Sequence, residues 1–491
     1  MKKALPVACV LAALLCCLSG CTGTSEPEDG ASGGETTAYT STEFTETPSV
    51  GWESRSSTFK SGPNGSGTTA DSQSKPTAAG NTTTAGAPTG SSKQPSAEAP
   101  GGKPTSAPPM VPADPNKPTT LTWLKDQQAY ASKAQGGTAC PRMLTLKNGT
   151  ILCAFDANDT QGGNSVIKVI QSKDGGDNWQ GTNKVKKNAV MQRSDRMIYA
   201  NPSMLQLSNG DVLVAYRGLS SGDGVKDSGL FVSVSHDNGI IWSAHSTVIS
   251  YENNAGGVYE PCFVEIGGIP TLFYANDAVD RLDKLGTGKN PDGTHQAAVN
   301  SLSYQNIEYI QLIDGQWQNR TIACNGMNSG SRDGMPGITR LKDGRWMLAY
   351  EANNTDGEYP FILRYKISRD GLKWSTAPGG GNGLAFCIPD TEGRKTSGPA
   401  LVTLPDGRVV CVFQTDQDAS EPGDSRSTLR LMVSKSDDPL DGWGEWMDVF
   451  QTPDGKCSVW NGAAISGHHL FVLTSTNYPS NSIYIRRAVL G

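Results

Sequence analysis

Along residues 119–491 the apolar positions form a repeated figure. A proline stands five residues ahead of an apolar anchor at Pro141/Leu146, Pro202/Leu207, Pro261/Ile266, Pro336/Leu341 and Pro399/Leu404. A turn pair follows each anchor (Asn148-Gly149, Asn209-Gly210, Gly267-Gly268, Asp343-Gly344, Asp406-Gly407), and then an apolar run such as ILCAF, VLVAY, WMLAY or VVCVF. This is the pattern of a hairpin: strand A, a two-residue turn, strand B. A sixth copy without the proline runs from Ser458 through Ser466-Gly467 to Thr474. Successive anchors lie about sixty to seventy-five residues apart, room for four strands per unit.

A second motif trails the hairpins. Ser172, Asp174, Gly176 and Trp179 recur as Ser235, Asp237, Gly239 and Trp242, and in shortened form as Ser368, Asp370, Gly371 and Trp374. These look like Asp-boxes, turns between the third and fourth strands of sialidase-type propeller blades. In such turns Ser and Asp bind the local backbone and Trp packs between blades, a structural role. Degenerate copies are expected around Asp314 to Trp317 and Ser434 to Trp443. Six hairpins with these turns predict an all-β, six-bladed propeller, closed by pairing of Ser482 to Val489 with a strand near Thr119 to Leu124.

The N-terminus reads differently. Lys2 and Lys3 precede an apolar run, Ala4 to Leu18, too short to span a bilayer comfortably and ending in small residues, as signal peptides do. Leu18-Ser19-Gly20-Cys21 resembles a bacterial lipobox, which implies a lipoprotein signal peptide over 1–20, lipidation of Cys21 and an extracytoplasmic, membrane-anchored protein; an ordinary secretory signal is the alternative. Residues 22–118 turn to Thr, Ser, Gly, Pro and Ala without one Leu, Ile or Cys, so they read as a disordered tether, or a glycosylated stalk, ahead of the domain at 119–491.

Composition narrows function by exclusion. Forty-two Lys plus Arg against 48 Asp plus Glu leave a net charge of −6, no basic footprint for nucleic acid. The five His include no pair at metal-ligand spacing, so neither a metal nor another cofactor is expected, and nothing calls for an oligomer rather than a monomer. Of seven Cys in the domain, Cys153 and Cys411 occupy strand B positions of buried hydrophobes, which leaves any disulfide to the others.

Topology then locates the chemistry. Strand A is innermost and antiparallel to strand B, so A starts and B ends share one face around the axis, with the loop from Asp277 to about Asn300. A starts bring Arg142, Asn201, Glu260 beside Tyr259, the Arg332/Asp333 pair and Gly398; B ends, ten residues past each anchor, bring Asp156, Arg217, Glu351 and Gln414, with Ala275 or Asn276 in the irregular third unit. Four carboxylates (Asp156, Glu260, Asp333, Glu351) thus converge on one funnel. Paired carboxylates are what glycoside hydrolysis requires, one protonating the leaving oxygen and the other attacking or activating water. Each has a plainer reading: strand-end acids often cap loops, Arg142 could form an ion pair between blades, and Arg332 could pair with Asp333.

The segments GVYEPCFVE, SRDGMPGITRLKDGRWMLAYE, CPRMLTLKNGTILCAF and GPALVTLPDGRVVCVFQTD resemble the glycoside hydrolase family 93 exo-α-1,5-L-arabinanases, six-bladed propellers of the sialidase superfamily. The resemblance covers most of 119–491, and its YEP and RDGMPG segments are more specific than its Asp-boxes. It implies an oligo- or polysaccharide substrate and retaining hydrolysis that releases arabinobiose from arabinan, with Glu260 and Glu351 as the catalytic pair. Of these, Glu260 is assigned as acid/base and Glu351 as nucleophile. The third-unit insertion and the Met335-Pro336 context depart from the family and leave substrate length and linkage open. An exo-α-sialidase shares the fold but needs an arginine triad and a Tyr nucleophile; Arg142 fits its first arginine, and no convincing second and third accompany a tyrosine. A propeller that binds glycan without cutting it is the third reading.

Overall fold

The computed structural model describes residues 117–131, 138–157, 165–181, 197–220, 227–252, 256–277, 305–326, 331–354, 361–374, 384–385, 394–420 and 427–491. The expected signal peptide, the lipidation site Cys21, all but the last two residues of the tether and most of the third-unit insertion lie outside them.

The described residues form a β-propeller of six blades. Blade 1 is Thr138–Thr145, Ile151–Ala157, Val166–Ser172 and Gln180–Gly181. Blade 2 is Met197–Gln206, Val212–Ser220, Ser228–Ser235 and Ser246–Tyr251; blade 3 is Val258–Ile266, Ile269–Asn276, Asn306–Ile313 and Gln316–Cys324. Ser331–Arg340, Trp346–Asn354, Ile362–Ser368 and Leu384–Ala385 make blade 4; Thr396–Thr403, Val409–Thr415, Thr428–Val433 and Met447–Phe450 make blade 5. Blade 6 takes Ser458–Ser466, His469–Thr476 and Ser482–Leu490 from the C-terminal end, and its outer edge comes from Leu121–Trp123 and Gln127–Ala131. Leu121 faces Leu490 and Trp123 faces Ala488, so strands from both ends of the domain meet in one blade and close the ring.

Apolar surface is buried in the seams. Six clusters of buried side chains each join two neighbouring blades, such as Leu363, Tyr365, Val409 and Phe413 between blades 4 and 5. The tryptophans of the Ser-x-Asp turns belong to these seams, with Trp374 fully buried between blades 3 and 4. In the turns themselves Ser172 Oγ donates to Asp174 Oδ1 (2.7 Å) and accepts from Gly176 N (2.8 Å), and Ser235 with Asp237 and Ser368 with Asp370 repeat the arrangement. All three follow the third strand of their blade and lie on the face away from the B-strand ends.

The hairpin turns depart from the expected two residues in four blades. Leu146 N donates to Thr150 O and Gly149 N to Leu146 O, a three-residue loop repeated at Leu207, Leu341 and Leu404. Asn148, Asn209, Asp343 and Asp406 accept the N–H two residues on, which holds the longer turn. Only blades 3 and 6 close with two residues, at Gly267-Gly268 and, one residue later than the expected Ser466-Gly467, at Gly467-His468. Among the described residues Cys140, Cys153, Cys262, Cys324 and Cys411 are free; Cys153 and Cys411 are fully buried, as their strand positions predict, and Cys387 lies outside.

Candidate active site

Each A strand slips by one residue against its B strand at the same place, between Ala139/Arg142, Ala200/Ser203, Tyr259/Cys262, Gly334/Gly337, Ser397/Ala400 and Val459/Gly462. The residue before each repeat proline carries the bulge with a positive φ: Cys140 52°, Asn201 55°, Glu260 53°, Met335 51° and Gly398 60°, with Trp460 at 54° in the proline-less blade. Such bulges re-aim side chains. Because all six blades share the conformation, its strain belongs to the architecture and does not by itself mark Glu260.

The bulge frees one N–H per blade, and the polar B-strand ends answer it. Asn201 N donates to Asp156 Oδ1 (3.3 Å), Gly398 N to Glu351 Oε2 (3.0 Å) and Trp460 N to Gln414 Oε1 (2.7 Å), each bond crossing to the next blade. Blade 3 has Ala275 at this register, opposite Tyr259. There Glu260 itself takes the N–H of the following blade, with Met335 N 2.7 Å from Oε2. A buried N–H must find an acceptor, which is a structural reason for polar residues at these positions.

Two of these clasps also face each other. A methyl on the bare α-carbon of Gly334 would stand 3.3 Å from Glu260 Oε2 and 3.4 Å from Glu351 Oε1, so the two oxygens are no farther apart than the sum of those reaches. Glu351 is 7% exposed, and burial together with the negative charge of Glu260 pushes its carboxyl up to about 7, against the pull of Arg332 and the Gly398 N–H. Arg332 Nη1 lies 3.8 Å from Glu351 Oε1, and its guanidinium covers the Phe361 ring.

The other expected residues divide. Arg142 Nη1 donates to the carbonyls of Pro141 and Trp460, which makes it a seam between blades 1 and 6. Asn201 Nδ2 reaches Cys140 Sγ (2.9 Å), and burial raises Asp156 to about 6. Arg217 lies over the Tyr259 ring, whose hydroxyl donates to Asp277 Oδ2 (3.2 Å); Asp277, which also accepts the Gly257 N–H, is itself pushed up to about 6 by burial. Gln414 is committed to blade 6 through Trp460 and Asn461. Asp333 corrects the expected ring of four acids. It is 1% exposed, its Oδ1 takes the Ser331 hydroxyl, and burial raises it to about 7, because the pleat sends it to the face opposite Arg332.

Sequence reasoning missed Gln305, whose Oε1 is 3.6 Å from the same Gly334 methyl position. It follows the insertion with no periodic signal of its own. Among the described residues no group of three or more His, Cys, Asp or Glu could hold a metal ion. A surface groove beside Gly267, Gly268, Arg340, Trp346 and Asp370 lies on the far face and includes neither glutamate.

No protein-family model and no curated protein matches this chain. Solved structures do share its fold. An α-L-arabinanase of Penicillium chrysogenum in complex with arabinobiose is 16% identical, with a TM-score of 0.51 over 75% of this chain and 98% of its own. A family 93 α-L-arabinofuranosidase of Fusarium graminearum, also with arabinobiose, is 16% identical at TM-score 0.53 over 75% and 98%. A protein of unknown function from Dyadobacter fermentans is 14% identical at TM-score 0.53 over 76% and 99%. At these identities the shared property is the propeller itself.

Proposed function

We propose that this chain is an extracytoplasmic retaining glycoside hydrolase that releases arabinobiose from α-1,5-L-arabinan, anchored through a lipid on Cys21. The observation that carries the reading is the glutamate pair around Gly334 with one member pushed up to about 7. A carboxylic acid protonated near neutral pH beside a second carboxylate is the electrostatic division of labour that glycoside cleavage needs. Retaining pairs stand roughly 5–5.5 Å apart, and two carboxylate oxygens within 3.3 and 3.4 Å of the one Gly334 methyl position support the choice of retention. The arabinobiose bound by the Penicillium and Fusarium propellers supports the choice of sugar.

The same electrostatics favour the reverse of the roles assigned from sequence. Glu351 is the acid/base and Glu260 the nucleophile. Glu260 attacks the anomeric carbon as the glycosidic C–O bond breaks, and the Glu351 proton passes to the departing oxygen. Water then attacks the same carbon, gives its proton to Glu351, and displaces Glu260. Arg332 would keep Glu351 from staying protonated through the second step. Nothing favours a sialidase clamp: Arg142 is turned to carbonyls and Tyr259 to Asp277.

The test is incubation with linear arabinan, a sialyl glycoside and a panel of aryl glycosides, followed by azide rescue. Glu260→Ala with azide should yield a glycosyl azide of inverted configuration. Glu351→Ala should yield the retained one and keep turnover on leaving groups that need no proton. Swapped products would reverse the roles, and sialic acid release without action on arabinan would end the reading.

A further inference from the structure

Gln305 immediately precedes the third strand of blade 3, Asn306–Ile313, and pairs in parallel with Arg332 of blade 4. Its N–H donates to Ser331 O (3.3 Å) and its carbonyl accepts from Asp333 N (3.0 Å), so its backbone joins the two blades that carry the glutamates. Its side chain does something else. It is 1% exposed, and among the described residues neither the amide oxygen nor the amide nitrogen has a hydrogen-bond partner. Buried amides are nearly always paired, and one left with both ends unpaired costs stability that a leucine of similar size would not.

The unpaired head is aimed at the glutamates. Glu260 Oε2, Glu351 Oε1 and Gln305 Oε1 approach one point, the methyl position that Gly334 lacks, at 3.3, 3.4 and 3.6 Å. A sugar whose anomeric carbon is within bonding reach of Glu260 carries a hydroxyl on the adjoining ring carbon, the sugar group nearest the reacting atoms. A primary amide can donate to that hydroxyl and accept from it, whereas the two carboxylates are occupied by the reaction and by Met335 N and Gly398 N.

We propose that the Gln305 amide binds the 2-hydroxyl of the sugar held between Glu260 and Glu351 and thereby selects for it, an inference that rests on the glycosidase reading above. A hydrogen bond at this hydroxyl strengthens as positive charge develops at the neighbouring carbon, so it acts on the rate as well as on binding.

The experiment is a cycle of enzyme against substrate. Wild type and Gln305→Leu are each assayed for kcat/KM on an aryl α-L-arabinobioside and on its analogue lacking the 2-hydroxyl of the sugar that carries the aryl group. The wild type should lose roughly tenfold or more on the analogue; Gln305→Leu should show that loss already on the parent substrate and no further loss on the analogue. The variant's melting temperature should equal or exceed that of the wild type. If it does not fold, Gln305→Asn, which withdraws the amide by one methylene, should show the same coupling in part. Equal loss on both substrates, or no loss on either, overturns the assignment of Gln305 while leaving the glutamate pair in place. A wild type inert on every arabinofuranoside overturns the proposed function and this ligand with it.

Discussion

Glu351→Gln separates what this side chain does for the fold from what it does for the reaction. Glutamine keeps an oxygen for the Gly398 N–H and removes the charge. In the folded protein the carboxyl is raised from 4.5 to about 7, and each tenfold change in an equilibrium is worth about 1.4 kcal/mol, so ionised Glu351 subtracts about 3 kcal/mol from folding stability. The sign follows from the direction of the shift. Below pH 4.5 the group is protonated in both states and the two proteins should be nearly equally stable. As pH rises through about 7 the wild type loses the contribution of the bound proton and the glutamine variant does not. Urea unfolding at pH 4.5, 6 and 8.5 should therefore show a gap in favour of Glu351→Gln that opens with pH and levels off near 3 kcal/mol. Repeating the series in a Glu260→Gln background should narrow the gap, since Glu260 supplies part of the shift. Over the same range kcat/KM of the wild type should fall on the basic side near pH 7, and the variant should lose about 10²–10⁴-fold on substrates whose leaving group needs a proton. A gap that is constant with pH, or one that turns in favour of the wild type, would mean that Arg332 and the Gly398 N–H outweigh burial and the Glu260 charge, and the acid role would fall with it.

Three further outcomes are expected. Gly334→Ala places a methyl 3.3 and 3.4 Å from the two glutamates, contacts that long side chains relieve by small movements; the melting temperature should change by only about 2–4 °C while kcat/KM drops on the order of a hundredfold, and unimpaired turnover would show that substrate does not occupy this space. Asp370→Ala removes the acceptor of Leu372 N, Lys373 N and the Ser368 hydroxyl on the far face, so calorimetry should record a loss of about 1–2 kcal/mol with kcat/KM unchanged; an altered kcat/KM would contradict the separation of the two faces. Removal of residues 1–118 should leave melting and activity on soluble arabinan as they are, because the propeller's own tie begins at Thr119 N, bonded to Asp406 Oδ2; a fall of several degrees would show that the segment packs on the blades.

The repeat was legible because its signals are local. Hairpin anchors, turn residues and Ser-x-Asp motifs act within a dozen residues of themselves, so proline spacing and apolar runs predict six blades, their seams and the face where Glu260 and Glu351 emerge. The same local view predicts two-residue turns where three-residue loops form, since Asn148-Gly149 and its counterparts suit both. What depends on neighbouring blades could not be read that way. One residue of pleat decides that Arg332 turns to Glu351 while Asp333 is sealed away, and the register is set by strand B across the hairpin. Glu351 is raised because of a carboxylate from another blade, and Glu260 holds Met335 N only because Ala275, on its own hairpin, offers no side-chain acceptor. Gln305 enters the site by pairing in parallel with a strand of the next blade after an insertion that carries no periodicity. Desolvation, charge proximity and an unpaired buried amide are properties of the space between chain segments, and only ring closure creates that space.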